Sequence, residues 1–324
     1  MFKTDINHWL QQFDHPFFHW FFEGISAIGT VTVLVLVVYA IIMGAHFKKG
    51  FGVVNIFFYV IMVTIFCKHL IDYPRPMAVD ASLNSFDRPI GQNLTNIQPK
   101  GFFELFSDNL LVKIRRSKAA REGFPSGHTS LITALTLGAA LVFRRRWIWY
   151  LGAGLIPLMM LSRMYLARHY LGDVLGGFTI GVVVSLIVYK GWKVANNVPE
   201  SSWAHRLFFL SALALLILSP WLQAFPTGTF IGLNLGYVIL ASTGRLPVLS
   251  SHWQPRVYSI LVFAVSAFIT TYISRRLGLA TYSLVSALVF TGFALASFLS
   301  AAFVCIKLGW WSQPTPPPLS DNKV

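Results

Sequence analysis

Residues 123–143 read Gly123-Phe124-Pro125-Ser126-Gly127-His128-Thr129-Ser130 and then run without a charge through Leu131–Phe143. The apolar stretch predicts a helix crossing a bilayer. The eight residues before it predict what sits at its head. Ser126 is placed to cap the helix, and Gly127 lets the backbone come close to a ligand. The free N–H groups of a helix start bind phosphate, and His128 on the first turn would face the same anion.

Working outward, the same kind of run recurs. Ile25–Met43, Val53–Cys67, Ile148–Leu161, Val174–Tyr189, Leu207–Leu222, Val257–Ile273 and Tyr282–Ile306 are further apolar stretches, with the weaker, glycine-containing Thr227–Ala241 completing the alternation. Spans need roughly 17–25 residues, so several runs must borrow flanking residues, and about nine spans are expected. Composition agrees: 324 residues, 55% hydrophobic and only 12% charged, with mean hydropathy +0.61. The expected class is all-α and polytopic. Residues 1–20 carry Asp5, Asp14 and three histidines rather than a basic start, so no cleavable signal is expected there.

The net charge of +14 points to a membrane rather than to nucleic acid. Lys48, Lys49, Arg144-Arg145-Arg146, Lys190, Lys193, Arg206, Arg245, Arg256 and Lys307 fall at span ends or loops that alternate onto one side. That side is cytoplasmic by the positive-inside rule. Loop 69–123, on the other side, breaks the bias with eight basic residues, which suits a phosphate ligand.

Two further motifs share the face of Ser126-Gly127-His128. The first is Lys68-His69-Leu70-Ile71-Asp72-Tyr73-Pro74-Arg75-Pro76. Lys68 ends an apolar span, where a cation needs a partner or water. The prolines flanking Arg75 restrict its backbone and aim a guanidinium able to take two phosphate oxygens. The other is Ser162-Arg163…His169-Tyr170-Leu171-Gly172-Asp173. His169 and Asp173 are four apart, so one helical turn lets the carboxylate hold one imidazole nitrogen and leaves the other as a nucleophile. Asp173 also reads as a helix N-cap. Arg163 would join Arg75 and Lys68 on the phosphate, while Tyr165 and Arg168 read as flank. Together the set suits metal-free phosphoryl transfer through a histidine.

In this order and spacing the three motifs resemble the signature of the type 2 phosphatidic acid phosphatase (PAP2) family, with every signature position present over roughly residues 15–190. The resemblance implies that His169 forms a phosphohistidine and that His128 is the general acid. It implies that Lys68, Arg75, Ser126, Gly127 and Arg163 bind phosphate, with no metal or other cofactor. The first motif at the end of the second span, plus extra C-terminal spans, is similar to the layouts of sphingosine-1-phosphate phosphatase and glucose-6-phosphatase. The expected protein is a multi-pass lipid phosphatase of a bacterial inner membrane, with its site on the periplasmic face. Its expected partners are a lipid phosphate or diphosphate and the bilayer, with no nucleic acid; oligomeric state and the particular lipid stay open. A lipid phosphotransferase, a vanadate-dependent haloperoxidase-like activity and a non-catalytic lipid-binding or transport protein are the alternatives.

The expected organisation is an interfacial aromatic segment 1–24, a catalytic core 25–200, extra spans 201–311 and a disordered tail 312–324. His15 and His19 would share a helix face and pack at the interface. Residues 102–118, with Lys113, Arg115, Arg116 and Lys118, predict an amphipathic helix on the membrane. Trp310 and Trp311 read as interface anchors, and Cys67 and Cys305 as buried small hydrophobes. After residue 173 only Glu200, His205 and His252 offer chemistry before the tail, and neither histidine has a visible partner.

Overall fold

The computed structural model describes residues 1–86, 99, 101–117 and 120–312. It is helical almost throughout. In chain order the helices are α1 (Asp5–Gln11), α2 (Pro16–Ile28), α3 (Val31–Ala40) with a π-helical turn at Ile41–Ala45, α4 (Phe47–Ile71), α5 (Pro76–Val79), α6 (Asp108–Arg116), α7 (Gly127–Phe143), α8 (Arg146–Tyr165), α9 (Leu171–Asn196), α10 (Trp203–Leu210) with a 3₁₀ extension Ser211–Leu216, α11 (Ala224–Ser242), α12 (Trp253–Arg276) and α13 (Leu284–Lys307). Two short strands, β1 (Val248–Leu249) and β2 (Trp311–Ser312), pair antiparallel.

Most of the apolar runs predicted above lie on helix, but Leu207–Leu222 is helical only as far as Leu216 and continues as turns. Among the described residues five stretches are long and apolar enough to span by themselves: Phe47–Val79, Leu171–Asn196, Ala224–Ser242, Trp253–Ile273 and Leu284–Lys307. Gly127–Phe143 and Trp203–Leu216 are apolar but shorter. The chain is a polytopic all-α membrane protein, with fewer self-sufficient spans than the nine expected. Ile25–Met43 is not one straight span, because α2 and α3 meet at 52°. The break has a packing cause. A Cβ on Gly29 would lie 2.6 Å from Met159 Cε and 2.9 Å from His128 Cδ2. Gly29 therefore lets α2 press against α8 and the head of α7, and Thr30 then turns extended to start α3.

α7 is the hub, packed against α4, α8 and α9. Its threonines turn inward and bond to their own helix: Thr133 Oγ1 to Thr129 O at 2.8 Å, and Thr136 Oγ1 to Ile132 O at 2.7 Å. Hydroxyls are thereby buried without an orphan donor. Because α4, α7, α8 and α9 alternate in direction, the end of α4, the start of α7, the end of α8 and the start of α9 share one face. α11 and α13 form a close pair through glycines, since a Cβ on Gly228 or Gly232 would strike the α13 backbone.

Several flanking expectations change. The helix expected over 102–118 is only Asp108–Arg116, and Leu110, Leu111 and Ile114 bury against Phe2, Phe106 and Tyr170. Its apolar stripe therefore covers protein. Lys118 and the tail from residue 313 lie outside the described residues. Trp311 is buried against Phe47 and Phe263 rather than anchoring at an interface. His205 does have partners: Nδ1 contacts Ala195 O at 2.8 Å and Nε2 contacts Tyr237 OH at 3.3 Å, joining the end of α9 to α11. In the first segment Trp9, Phe13, Phe17 and Trp20 are exposed, as a lipid-facing aromatic rim requires. His15 accepts from Phe17 N at 3.2 Å, and His19 stacks on Phe86 at 4.5 Å.

Candidate active site

Lys68 sits one turn before the end of α4. Asp72 then takes φ 48°, ending the helix in the left-handed region. The chain leaves through Pro74-Arg75-Pro76 and is paired by 120–123. Arg75 N donates to Ala120 O at 3.0 Å, and Gly123 N donates to Tyr73 O at 2.8 Å. Successive carbonyls of that return segment hold Arg75 and Lys68. Besides Ala120 O, Arg121 O accepts from Arg75 Nε at 3.0 Å and Glu122 O accepts from Lys68 Nζ. A backbone edge thus aims both side chains.

The second motif enters α7 at Gly127. Ser126 occupies the N-cap position but makes no side-chain cap. Its hydroxyl accepts from Thr129 Oγ1 at 3.1 Å, and its N–H donates to Asp173 O at 2.9 Å. The expected serine cap is absent because the residue is engaged sideways by α9. Gly127 faces Lys68, whose Cε would lie 3.6 Å from an added Cβ. The His128 ring lies against Gly29.

The third motif closes α8 and opens α9. His169 is 2% exposed, and its Nδ1 is 3.3 Å from Asp173 Oδ2. The same carboxylate oxygen accepts from Tyr170 N at 2.9 Å. Asp173 is not the N-cap, which is Tyr170, but the third residue of α9, and from there its carboxylate accepts from the Tyr170 amide and also touches the imidazole. Arg163, Lys68, Arg75 and His128 all lie within electrostatic reach of His169. Burial, and then the cations Arg163, Lys68 and Arg75, push the His169 imidazole well below its ordinary value. It is thus a neutral base at neutral pH. All eight residues singled out in the sequence converge on this end of the four-helix core.

Other residues at the site were not singled out. Arg163 Nη1 donates to Ser26 Oγ at 2.5 Å, and Arg168 reaches the same hydroxyl at 3.4 Å while pairing with Glu23. Arg168, read as flank, is 2% exposed. A signal for this was present: Glu23 is the one Asp, Glu, Lys or Arg between Asp14 and Lys48, and an acid in so apolar a stretch needs a cation. The segment joining α12 to α13 also approaches the first motif, where the His69 ring lies 5.3 Å from that of Tyr282.

The bundle gathers two histidines, a buried carboxylate and three cations at one end, a set chemically suited to holding a phosphate. Residues 49–196, which span α4 to α9, match the sequence model of the PAP2 superfamily and carry a domain of that superfamily. The chain is 29% identical over 80 residues to the lipid A 4′-phosphatase of Porphyromonas gingivalis. That match covers 25% of this chain and 34% of the relative, so the chain spans about a third of that curated protein's length. A solved structure, the crystal structure of Aquifex aeolicus LpxE, aligns over 59% of this chain and 99% of its own, at 19% identity and TM-score 0.42.

Proposed function

We propose that this protein is a metal-independent lipid phosphatase acting through a phosphohistidine. The observation that carries the reading is the buried His169, with one ring nitrogen against Asp173 and with Arg163, Lys68, Arg75 and His128 within electrostatic reach. With Nδ1–H donated to the carboxylate, Nε2 keeps its lone pair for phosphorus. In the first step the N–P bond forms as the P–O bond to the lipid breaks. His128 gives its proton to the leaving oxygen. In the second step water attacks phosphorus, the N–P bond breaks and His128 takes a proton from the water. The products are the dephosphorylated lipid and inorganic phosphate. Lys68, Arg75, Arg163 and the amides at the head of α7 stabilise the charge on the equatorial oxygens. A bound phosphate also favours the proton on His128, which otherwise sits among cations.

The substrate is a lipid phosphate or diphosphate of the phosphatidic acid, isoprenyl diphosphate or sphingoid phosphate class, and the name of the curated relative adds lipid A to that range. The alternation of basic span ends supports a site on the periplasmic face of a bacterial inner membrane.

The test is phosphate release by detergent-purified protein across a panel of these lipids, with chelator present and His169→Ala alongside. Release that survives chelator and is lost in the variant is expected. Release that persists in His169→Ala refutes the nucleophile. His128→Ala should slow poor leaving groups more than good ones; an equal loss on both refutes its acid role. Group transfer that appears only when a lipid acceptor is added would make the protein a phosphotransferase.

A further inference from the structure

Asn7 lies on α1, far in sequence from the site, and is buried. Its side-chain amide donates to Met164 O at 2.7 Å and to His169 O at 3.1 Å. Those two carbonyls bracket the turn that carries the chain from α8 to His169. Inside the turn Ala167 has φ 50°. A residue with a Cβ holds that conformation only when its surroundings enforce it. The turn is closed from within by Ala167 N to Met164 O at 3.0 Å, Arg168 N to Arg163 O at 3.1 Å and His169 N to Arg163 O at 3.2 Å. Its far end, the His169 carbonyl, is held from outside by Asn7.

Asn7 Oδ1 is buried and takes no hydrogen bond among the described residues. An apolar residue would fill the same space without that cost, so packing alone does not account for an amide here. The two donors do.

We propose that Asn7 is a positioning residue for His169. By bridging Met164 O and His169 O it clamps the strained turn in the one shape that keeps the imidazole aimed along Asp173. The inference rests on the phosphohistidine reading above. It concerns geometry rather than phosphate binding, because Asn7 contacts neither Lys68, Arg75 nor Arg163 in any hydrogen bond described.

The test measures kcat and KM separately on a lipid phosphate for Asn7→Asp, which keeps the shape but faces the carbonyls with acceptors, and for Asn7→Leu. Gln11→Leu is the control. Gln11 Nε2 fastens the same helix to Tyr165 O at 2.8 Å and Asn84 O at 3.0 Å without touching His169. A misaimed nucleophile predicts a kcat loss of roughly 10- to 100-fold for both Asn7 variants, with KM within about twofold. Gln11→Leu should keep kcat within about threefold. Should Asn7→Leu fail to give monodisperse protein, Asn7→Asp and the donor-retaining Asn7→Ser decide, with Asn7→Ser expected to recover part of the kcat. Full kcat in the Asn7 variants, a KM rise that accounts for the whole loss, or an equal kcat loss in Gln11→Leu overturns the inference. Wild-type protein that releases phosphate but forms no acid-labile phosphoenzyme on rapid quench overturns the phosphohistidine reading and this one with it. A normal phosphoenzyme in wild type beside full kcat in the Asn7 variants overturns this one alone.

Discussion

Gly177→Ala is the most demanding test of how the site is assembled. Gly177 lies on α9 where that helix crosses the head of α7. A Cβ there would overlap the Ser126 carbonyl oxygen and lie 3.3 Å from both the Ser126 carbonyl carbon and amide nitrogen. These are backbone atoms, so no side-chain rotation relieves the contact. Restoring an ordinary separation moves one helix from the other by roughly 1 Å, because packed interiors have no slack to absorb the methyl. Overpacking of this kind costs about 1–3 kcal/mol, and the gain of alanine over glycine in a helix returns about 0.5–1 kcal/mol. The net loss is roughly 0–2.5 kcal/mol. The same shift stretches the 2.9 Å bond from Ser126 N to Asp173 O and displaces Gly127 and His128 relative to His169. A misplacement near 1 Å costs on the order of 100-fold in rate. The assay pairs thermal unfolding in detergent with phosphate release. Gly154→Ala is the internal control, since a Cβ at Gly154 on α8 meets nothing within 4 Å. It should leave turnover intact and raise stability by up to about 1 kcal/mol. Wild-type stability and turnover in Gly177→Ala, or equal damage from Gly154→Ala, would refute the reasoning.

Glu23→Gln should destabilise the fold by about 1–3 kcal/mol, below the value for a fully buried pair because the Glu23 side chain is 31% exposed; an unchanged unfolding midpoint would show that Arg168 does not need this carboxylate. Since burial and the neighbouring cations hold the His169 pKa below that of the unfolded chain, the unfolded state binds the extra proton as pH falls, and stability is present above about pH 6.5 and erodes below it. His169 should therefore show no protonation between pH 8 and 6.5 in ring-carbon NMR, and an inflection near 6.5 would contradict that. Burial works to raise the Asp80 carboxyl, but hydrogen bonds from Ser82, Thr4 and His8 outweigh it and hold the group well below the usual carboxylate range. Its contribution is present above about pH 4 and lost as pH falls further, so Asp80→Asn should flatten acid unfolding below about pH 4, and an unchanged acid limb would count against it.

Part of this was legible in the sequence for physical reasons. Long uncharged runs in a chain with few charges permit only helices in lipid, because each backbone amide must be satisfied within its own segment. Local spacing also carries through. His169 and Asp173, four apart, do meet, because one helical turn sets that distance whatever surrounds it. Span alternation brought Lys68, Arg75, Ser126, Gly127, His128 and Arg163 to one face without any knowledge of packing.

What depended on contact between distant segments required the tertiary structure. The carbonyls of 120–122 aim Lys68 and Arg75 from about fifty residues away, and backbone carbonyls have no sequence signature. Ser126 looks like a cap by type, yet α9 claims its N–H and Thr129 its hydroxyl. Gly29 breaks an apolar run that hydropathy reads as continuous, because the side chains pressed against it belong to α7 and α8. Asn7 and Ser26 enter the site through hydrogen bonds that no local pattern announces, whereas Glu23, as the one acid of its apolar stretch, did call for a cation. Hydropathy and spacing alone were enough to locate most of the long helices and to group the motif residues at one end of the bundle, because those follow from local periodicity and the bilayer's intolerance of charge. The groups that hold the candidate site residues in place were visible only in the folded chain, because hydrogen bonds between segments depend on ångström distances that no local pattern encodes.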